Sequence, residues 1–123
     1  MSKDQPSSEQ RKHQRYCSRE GAFINLRNET NKLGQILDIS MGGLSYRYVE
    51  NGIKHGDYKL DIFLVGPDFR AESIPVHTVY DCAIKDEEDT NSLKVRRQGV
   101  RFKDLNGIQL TLLEHFIENY TTK

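Results

Sequence analysis

The chain has 123 residues, enough for one ordinary domain and too few for two. Its 18 Lys+Arg balance 18 Asp+Glu, so no net charge attracts the protein to nucleic acid or to a membrane surface. No apolar run approaches the roughly 20 residues of a membrane span, so membrane insertion is not expected. The composition, with 36% apolar residues, predicts a globular domain with a modest core. Two cysteines make no disulfide framework, and the polar N-terminus does not resemble a signal peptide, which together favour a cytoplasmic location.

The N-terminal region divides into a polar lead-in and a basic segment. Residues 1–10 contain no aliphatic side chain after the first methionine and are predicted to be disordered. Between residues 11 and 19 there are four positive charges and no acid: Arg11, Lys12, Arg15 and Arg19. Guanidinium groups bind phosphate and the guanine edge through paired hydrogen bonds. An anion-binding role and an ordinary solvated basic segment both remain open for these residues.

Alternation of apolar and polar residues predicts six strands in the middle of the chain. They are expected at about residues 22–27, 32–39, 44–48, 58–65, 69–83 and 94–103. Turn-forming residues separate them, and the acidic run at 86–89 is expected to be a solvated hairpin tip. Pro75 indicates that the fifth stretch is split, bulged or at a sheet edge.

The period becomes helical near the C-terminus. Asn106 stands where an N-cap would, with Gln109 three residues later as a capping-box partner. The apolar residues expected to pack against the strands recur at helical spacing: Ile108, Leu112, Leu113, Phe116, Ile117 and Tyr120. Six short strands followed by one amphipathic helix predict a mainly β fold, a small antiparallel β-barrel with a C-terminal α-helix.

One short turn, from Asp38 to Gly43, concentrates polar groups and flexible backbone in six residues. Asp38 accepts hydrogen bonds, Ser40 donates or accepts them, and Gly42 and Gly43 let another group approach the backbone closely. An ordinary hairpin turn, in which Asp and Ser bond their own backbone, explains the same residues. A binding role for this turn therefore needs support from the rest of the chain.

That support comes from three motifs in a fixed order: Arg11-xxx-Arg15, Asp38-x-Ser40-x-x-Gly43 and Gly99-Val100-Arg101-Phe102 before a terminal helix. In this order and spacing they resemble the PilZ domain family. The resemblance spans about residues 11–120, which would form a PilZ-like domain after the lead-in. It implies a six-stranded β-barrel with a flexible N-terminal arm, acting as a stand-alone bacterial receptor for the second messenger cyclic di-GMP.

The resemblance also implies which residues bind the ligand. Arg11 and Arg15 would bond phosphate oxygens and the guanine O6/N7 edge. Asp38 would accept from guanine N1–H and its amino group, Ser40 would bond a ring nitrogen or phosphate, and Gly43 would let the nucleotide approach the backbone. Auxiliary contacts are expected from four further residues: Lys12, Arg19, Gly42 and Tyr80. Ordering of the arm would relay the signal to a separate, unidentified protein effector, with consequences for motility or biofilm formation.

Other functions receive less support. A PilZ-like module that binds only protein is the alternative, but such members usually lack the arginine or Asp/Ser positions that this chain keeps. Binding of RNA through the basic arm is disfavoured by the neutral overall charge. No enzyme, metal site or cofactor is expected, because the histidines and cysteines show no ligand spacing and Ser40 lacks a GxSxG elbow. Cys17, although it lies among arginines, is expected to be an ordinary free thiol.

Overall fold

The computed structural model describes residues 14–26, 33–49, 56–84 and 95–122. The predictions for residues 1–10, for Arg11 and Lys12, and for the acidic run at 86–89 lie outside these ranges. The elements, in chain order, are β1 (Tyr16–Ser18), β2 (Ala22–Leu26), β3 (Leu33–Ile39), β4 (Gly43–Val49), β5 (Asp57–Leu64), β6 (Arg70–Ala83), β7 (Val95–Phe102), α1 (Gly107–Tyr120) and β8 (Thr121–Thr122). Within the described ranges, no helix is long and apolar enough to cross a bilayer.

Six strands form a closed antiparallel barrel in the order β2-β5-β6-β7-β4-β3, and the pairing of β2 with β3 closes the ring. Strand β1 pairs with β3 and β8 pairs with β1, so these two strands extend the sheet outside the ring. The barrel and the C-terminal helix predicted from the sequence are confirmed. Strands β1 and β8 are not predictable in this way, because segments of three and two residues are too short to show an alternation of their own.

Alternating side chains fill the barrel interior. In β2, Ala22, Ile24 and Leu26 are buried, while Phe23 and Asn25 between them are only partly covered. Burial of one such large aliphatic side chain stabilises the fold by roughly 1.5–3 kcal/mol. The other strands contribute a similar set of fully buried aliphatic residues, which includes Ile39, Leu44, Leu60, Ile62, Ile74 and Val76.

Helix α1 packs on the barrel through Leu113 and Phe116, both 0% exposed. Phe69, in the turn between β5 and β6, lies 5.4 Å from the Phe116 ring, centroid to centroid. Ile108 is 75% exposed, so the prediction that it belongs to the packed face is wrong. At 100° per residue, Ile108 lies about 110° around the helix from the midpoint between Leu113 and Phe116, which is beyond the edge of the contact.

The start of α1 is fixed by the predicted capping box. Asn106 Oδ1 accepts from the backbone N–H of Gln109 at 2.8 Å, and Gln109 Oε1 accepts from the backbone N–H of Asn106 at 3.0 Å. The Gln109 Nε2 also donates to the carbonyl oxygen of Ser73 in β6 at 3.1 Å. One side chain therefore both caps the helix and ties its first turn to the barrel.

Strand β6 is continuous through Pro75 but carries two register shifts. At the first, Ser73 has a φ of 59°, and its N–H donates to Oδ1 of the buried Asp61 at 2.9 Å. Of the three alternatives for this stretch, the bulge is therefore the one observed. The second shift, between Thr78 and Tyr80, brings Tyr80 opposite Gly99 of β7.

Inside the barrel, a polar network links β5, β6 and β7. The Tyr58 hydroxyl donates to Gln98 Oε1 at 2.5 Å, and the Thr78 hydroxyl donates to the same oxygen at 2.8 Å. The Gln98 Nε2 donates in turn to Asp81 Oδ2 at 2.9 Å. Burial raises the pKa of Tyr58 to about 12, so this phenol keeps its proton at neutral pH and acts as a donor.

On the outside of the barrel, the exposed Asp57 carboxylate binds two basic side chains, Lys103 Nζ at 2.7 Å and His77 Nδ1 at 2.5 Å. The hydrogen bond from Lys103, followed by that from His77, lowers the pKa of Asp57 from its ordinary value of 3.8 to about 2. Its folded-state pKa is the lower one, so any stability from this cluster is present above the ordinary value and is lost as the pH falls towards 2.

We expect Lys103→Ala to raise the pKa of Asp57 towards its ordinary value, because the largest cause of the shift is removed. An NMR titration of the side-chain carboxyl carbon measures this pKa directly. Lys59→Ala, which removes an exposed lysine of β5, the strand that carries Asp57, serves as the control and should move the pKa less. An Asp57 pKa that is equal in the wild type and in Lys103→Ala would contradict the assignment.

Candidate functional site

Four residues stand in register across β3, β4, β7 and β6 on the outer face of the barrel. Asp38 is opposite Ser45, Ser45 is opposite Gly99, and Gly99 is opposite Tyr80. In β4, the face of Ser45 also carries the exposed Arg47, whereas Leu44 and Tyr46 on the other face are 0% exposed and point to the interior. Because Ser45 and Gly99 are small, the row forms a low floor with a carboxylate at one end and an aromatic ring at the other.

The ring of Tyr80 lies directly over the backbone of Gly99. A Cβ added at Gly99 would be 2.2 Å from a carbon of this ring, so only glycine allows so close an approach. Tyr80 nevertheless remains 40% exposed. The ring is therefore held in place by the sheet beneath it while part of its surface stays available for stacking.

The Asp38 carboxylate forms ion pairs with two arginines from different parts of the chain, one at each oxygen. Arg15 Nη1 lies 2.8 Å from Oδ1, and Arg97 Nη2 lies 2.7 Å from Oδ2. The same Arg97 nitrogen is 3.0 Å from the hydroxyl oxygen of Ser45. The segment that precedes β1 is thus attached to β3 by an ion pair whose partners are partly exposed, with relative side-chain exposures of 36% for Arg15 and 19% for Asp38.

These groups surround a depression of about 330 Å³, which lies at the small end of the range of ligand pockets. Its lining residues are Arg15, Tyr16, Cys17, Asp38, Tyr80 and Arg97. Two guanidinium groups, a carboxylate and an exposed aromatic ring are the groups that bind a planar base and an attached phosphate. The structure therefore brings together three residues singled out from the sequence, Arg15, Asp38 and Tyr80.

Ser40, Gly42 and Gly43 serve the turn between β3 and β4. Ser40 is 4% exposed, and its hydroxyl accepts from Gly42 N–H at 3.1 Å and donates to Gly43 O at 3.3 Å. A Cβ at Gly43 would lie 2.1 Å from the carbonyl oxygen of Val100, so the backbone of β7 packs against this glycine. These contacts are those of the ordinary hairpin turn, and a direct contact of Ser40, Gly42 or Gly43 with a ligand stays a prediction.

Among the remaining basic candidates, Arg19 is the one in the part of the chain that the structure describes, and it does not line the depression. Arg11 and Lys12 fall outside that part. The guanidinium carbon of Arg19 lies 5.9 Å from the centroid of the Tyr120 ring, and its backbone N–H donates to Tyr120 O at 3.4 Å. Arg19 thus contacts the end of α1 through a cation–π interaction and the backbone.

Arg97 is a residue of the depression that the sequence motifs do not reveal. It is separated from Asp38 by 59 positions along the chain, and no short motif contains it. The alternation of β7 places residues 97, 99 and 101 on one face of the strand. It does not predict which strands pair with β7, and so it does not predict the contact with Asp38. The one available signal is that an arginine stands two residues from the glycine of the Gly99 motif.

The described residues offer no metal site. No group of three His, Cys, Asp or Glu side chains that could hold a metal ion occurs in residues 14–26, 33–49, 56–84 and 95–122. Cys17 and Cys82 are both exposed and carry free thiols.

The fold and the site define a class of protein: a small closed β-barrel with a C-terminal helix and a basic N-terminal segment bound to its outer face. Among solved structures, the chain is similar to the PilZ domain with c-di-GMP of YcgR from Escherichia coli. The TM-score is 0.68 at 12% identity, covering 89% of this chain and 90% of that one. It is also similar to MrkH, described as a c-di-GMP dependence transcription regulatory factor. Here the TM-score is 0.66 at 18% identity, covering 89% of this chain and 50% of that one.

Comparison of sequences adds no relative, since no family model and no curated protein matches the chain. The structural similarity nevertheless covers nearly the whole chain and, for the YcgR domain, nearly the whole of that domain. The chain therefore has a PilZ-like fold.

Proposed function

We propose that this PilZ-like domain binds cyclic di-GMP at the depression on its outer face. The observation that carries the proposal is the Asp38 carboxylate, bridged by Arg15 and Arg97 beside the exposed ring of Tyr80. The similarly folded YcgR domain, whose structure was solved with c-di-GMP, supports the same ligand.

The ligand's chemistry matches the groups at the depression. Asp38 accepts from N1–H and the amino group of guanine, a pair of donors that adenine does not offer in this arrangement. Arg15, together with Arg11, donates to phosphate oxygens or to guanine O6 and N7. The ring of Tyr80 stacks on a base.

The other candidates from the sequence have lesser roles in this proposal. Ser40 bonds a ring nitrogen or phosphate of the ligand, and Gly43 lets the nucleotide approach the backbone. Gly42 supports the turn that carries Asp38 through its hydrogen bond to Ser40. Lys12 and Arg19 are auxiliary basic residues of the arm.

Strand β1 provides a route from the ligand to a protein effector. Arg15 directly precedes β1, in which Cys17 pairs with Asp38 of β3 on one side and with Thr122 of β8 on the other. Strand β8 follows α1 without a gap. A ligand that takes over the hydrogen bonds of Arg15 therefore alters the attachment of β1, and with it the surface near the end of α1.

Isothermal titration calorimetry of the full chain with cyclic di-GMP tests the proposed function. We expect saturable binding by the wild type, no comparable binding of GTP, and at least a 10-fold weaker affinity for Arg15→Ala, since a charge-assisted hydrogen bond contributes about 1.5–3 kcal/mol. Arg47→Ala is the matched control, because Arg47 lies on the same outer face but bonds Gln35 at 3.0 Å and does not line the depression.

Circular dichroism establishes that each variant is folded before its affinity is compared. A folded wild type that produces no heat with cyclic di-GMP would overturn the proposed function. The alternative of a module that binds only protein would then remain.

A further inference from the structure

Arg97 lines the candidate site, and its Nε–H has no hydrogen-bond acceptor among the described residues. It lies in β7 opposite Arg47 of β4 and Cys82 of β6. Its side chain is 38% exposed, and it crosses towards β3 to reach Asp38. Arg96, its neighbour, differs in that its Nε donates to Asp81 at 2.5 Å. Of these two adjacent arginines, Arg96 belongs to the buried network and Arg97 to the depression.

The guanidinium of Arg97 is only partly satisfied by the protein. Its Nη2 donates to Asp38 Oδ2 and to Ser45 Oγ, but its buried Nε–H has no acceptor among the residues that the structure describes. A buried donor without an acceptor costs free energy, so a ligand that draws the Arg97 side chain towards its own acceptors relieves this cost and gains affinity. Guanidinium groups bind phosphate best through two parallel N–H donors on different nitrogens. Arg97 uses one nitrogen, Nη2, for its hydrogen bonds to both Asp38 and Ser45.

Asp38 must be released from its arginines before it can bind a guanine. Each of its two carboxylate oxygens is bonded to an arginine, Oδ1 to Arg15 and Oδ2 to Arg97. Recognition of guanine through N1–H and the amino group needs both oxygens to face the base. A ligand that carries both a guanine and a phosphate satisfies the two sides together, because it offers donors to Asp38 and acceptors to Arg97.

We propose that Arg97 is a further ligand-binding residue of this site, one that gives up Asp38 Oδ2 to the guanine and donates instead to a phosphate oxygen of cyclic di-GMP. The inference rests on the proposed function, which it deepens with a residue outside the Arg-xxx-Arg and Asp-x-Ser-x-x-Gly motifs. The Asp38–Arg97 pair then keeps both side chains oriented until the ligand separates them.

Calorimetric titration with cyclic di-GMP of the wild type and of Arg97→Ala, Arg97→Lys and Arg47→Ala tests the proposal. We expect Arg97→Ala to weaken binding about 10- to 100-fold, as is usual for loss of a charge-assisted hydrogen bond. Arg97→Lys should recover part of the loss, since it keeps the charge but not the paired donors. Arg47→Ala should bind like the wild type, and thermal unfolding should show all variants folded.

A second arm separates direct contact from mere positioning of Asp38. Arg97→Ala is measured in the Asp38→Asn background, where the Asp38–Arg97 ion pair no longer exists. A contact with the ligand predicts that Arg97→Ala still weakens binding in this background, whereas a role through Asp38 alone predicts no further loss. In the wild type, the Nε–H resonance of Arg97 should move on ligand addition, while that of Arg47 stays in place.

The outcomes distinguish the two proposals. If the wild type binds and Arg15→Ala weakens binding, but Arg97→Ala matches Arg47→Ala, the role of Arg97 is refuted and the proposed function stands. The role of Arg97 is also refuted if the effect of Arg97→Ala disappears in the Asp38→Asn background and the Nε–H resonance does not move. A folded wild type without binding refutes both.

Discussion

Replacing Asp81 with alanine is expected to lower the free energy of unfolding by about 3–5 kcal/mol, a large part of the roughly 5–15 kcal/mol typical of a domain. The carboxylate is 6% exposed. It accepts from Arg96 Nε at 2.5 Å, from Gln98 Nε2 at 2.9 Å and from the hydroxyl of Tyr48. Alanine removes the shared acceptor from all three donors, of which Gln98 is 0% and Tyr48 5% exposed, while the Arg96 side chain is 27% exposed. Urea denaturation followed by circular dichroism measures the loss.

Two further substitutions make this result specific. Asp81→Asn keeps an acceptor oxygen but removes the charge that faces Arg96, so its loss should be intermediate. Glu72→Ala removes a carboxylate of the same strand that is 58% exposed and 2.9 Å from Arg70, and should cost less than about 1 kcal/mol. If Asp81→Ala and Glu72→Ala destabilised the protein equally, the buried network could not be a main support of the barrel.

The strands could be predicted because alternate positions of the barrel strands differ in burial, most clearly in β2. The alternation of Ala22, Ile24 and Leu26 with polar or half-covered residues expresses this difference directly in the sequence. The order of the strands could not be predicted in the same way. Pairing of β2 with β5 and with β3 depends on contacts between residues far apart, and alternation along one strand carries no information about its neighbour.

The site could be predicted only as far as local motifs reach. Arg15 and Asp38 each stand in a short motif, and the structure brings them to 2.8 Å from each other. Arg97 completes the same cluster but belongs to no motif, and its place depends on the register of β7 against β4. The ligand contact expected of Ser40 stays a prediction, since the structure shows its hydroxyl in two hydrogen bonds of the turn.

The motif glycine Gly43 therefore has a structural explanation that can be tested. Replacing Gly43 with alanine is expected to destabilise the protein by about 3 kcal/mol, the upper end of what overpacking costs. The new Cβ would stand 2.1 Å from the carbonyl oxygen of Val100 and 3.0 Å from the Cα of Arg101, both backbone atoms. Because neither can move without shifting β7, the expected result is a lower urea midpoint.

Gly99→Ala is the matched comparison, since Gly99 lies on the same outer face one strand away. Its Cβ would stand 2.2 Å from the ring of Tyr80, a side chain that is 40% exposed and can turn aside. The loss of stability should therefore be smaller than for Gly43→Ala, but Tyr80 should leave its place over the floor of the depression.

The two glycine variants thus separate an effect on the stability of the barrel from an effect on ligand affinity. Gly99→Ala should weaken the proposed binding of cyclic di-GMP by about 1–3 kcal/mol, the usual contribution of one base stacked on an aromatic ring. The urea midpoint should change less than in Gly43→Ala. Tyr80→Ala should weaken binding by a similar amount, because both substitutions remove the same stacking surface. A Gly99→Ala protein that binds cyclic di-GMP like the wild type, with Tyr80 displaced, would exclude stacking on Tyr80 from the recognition of the ligand.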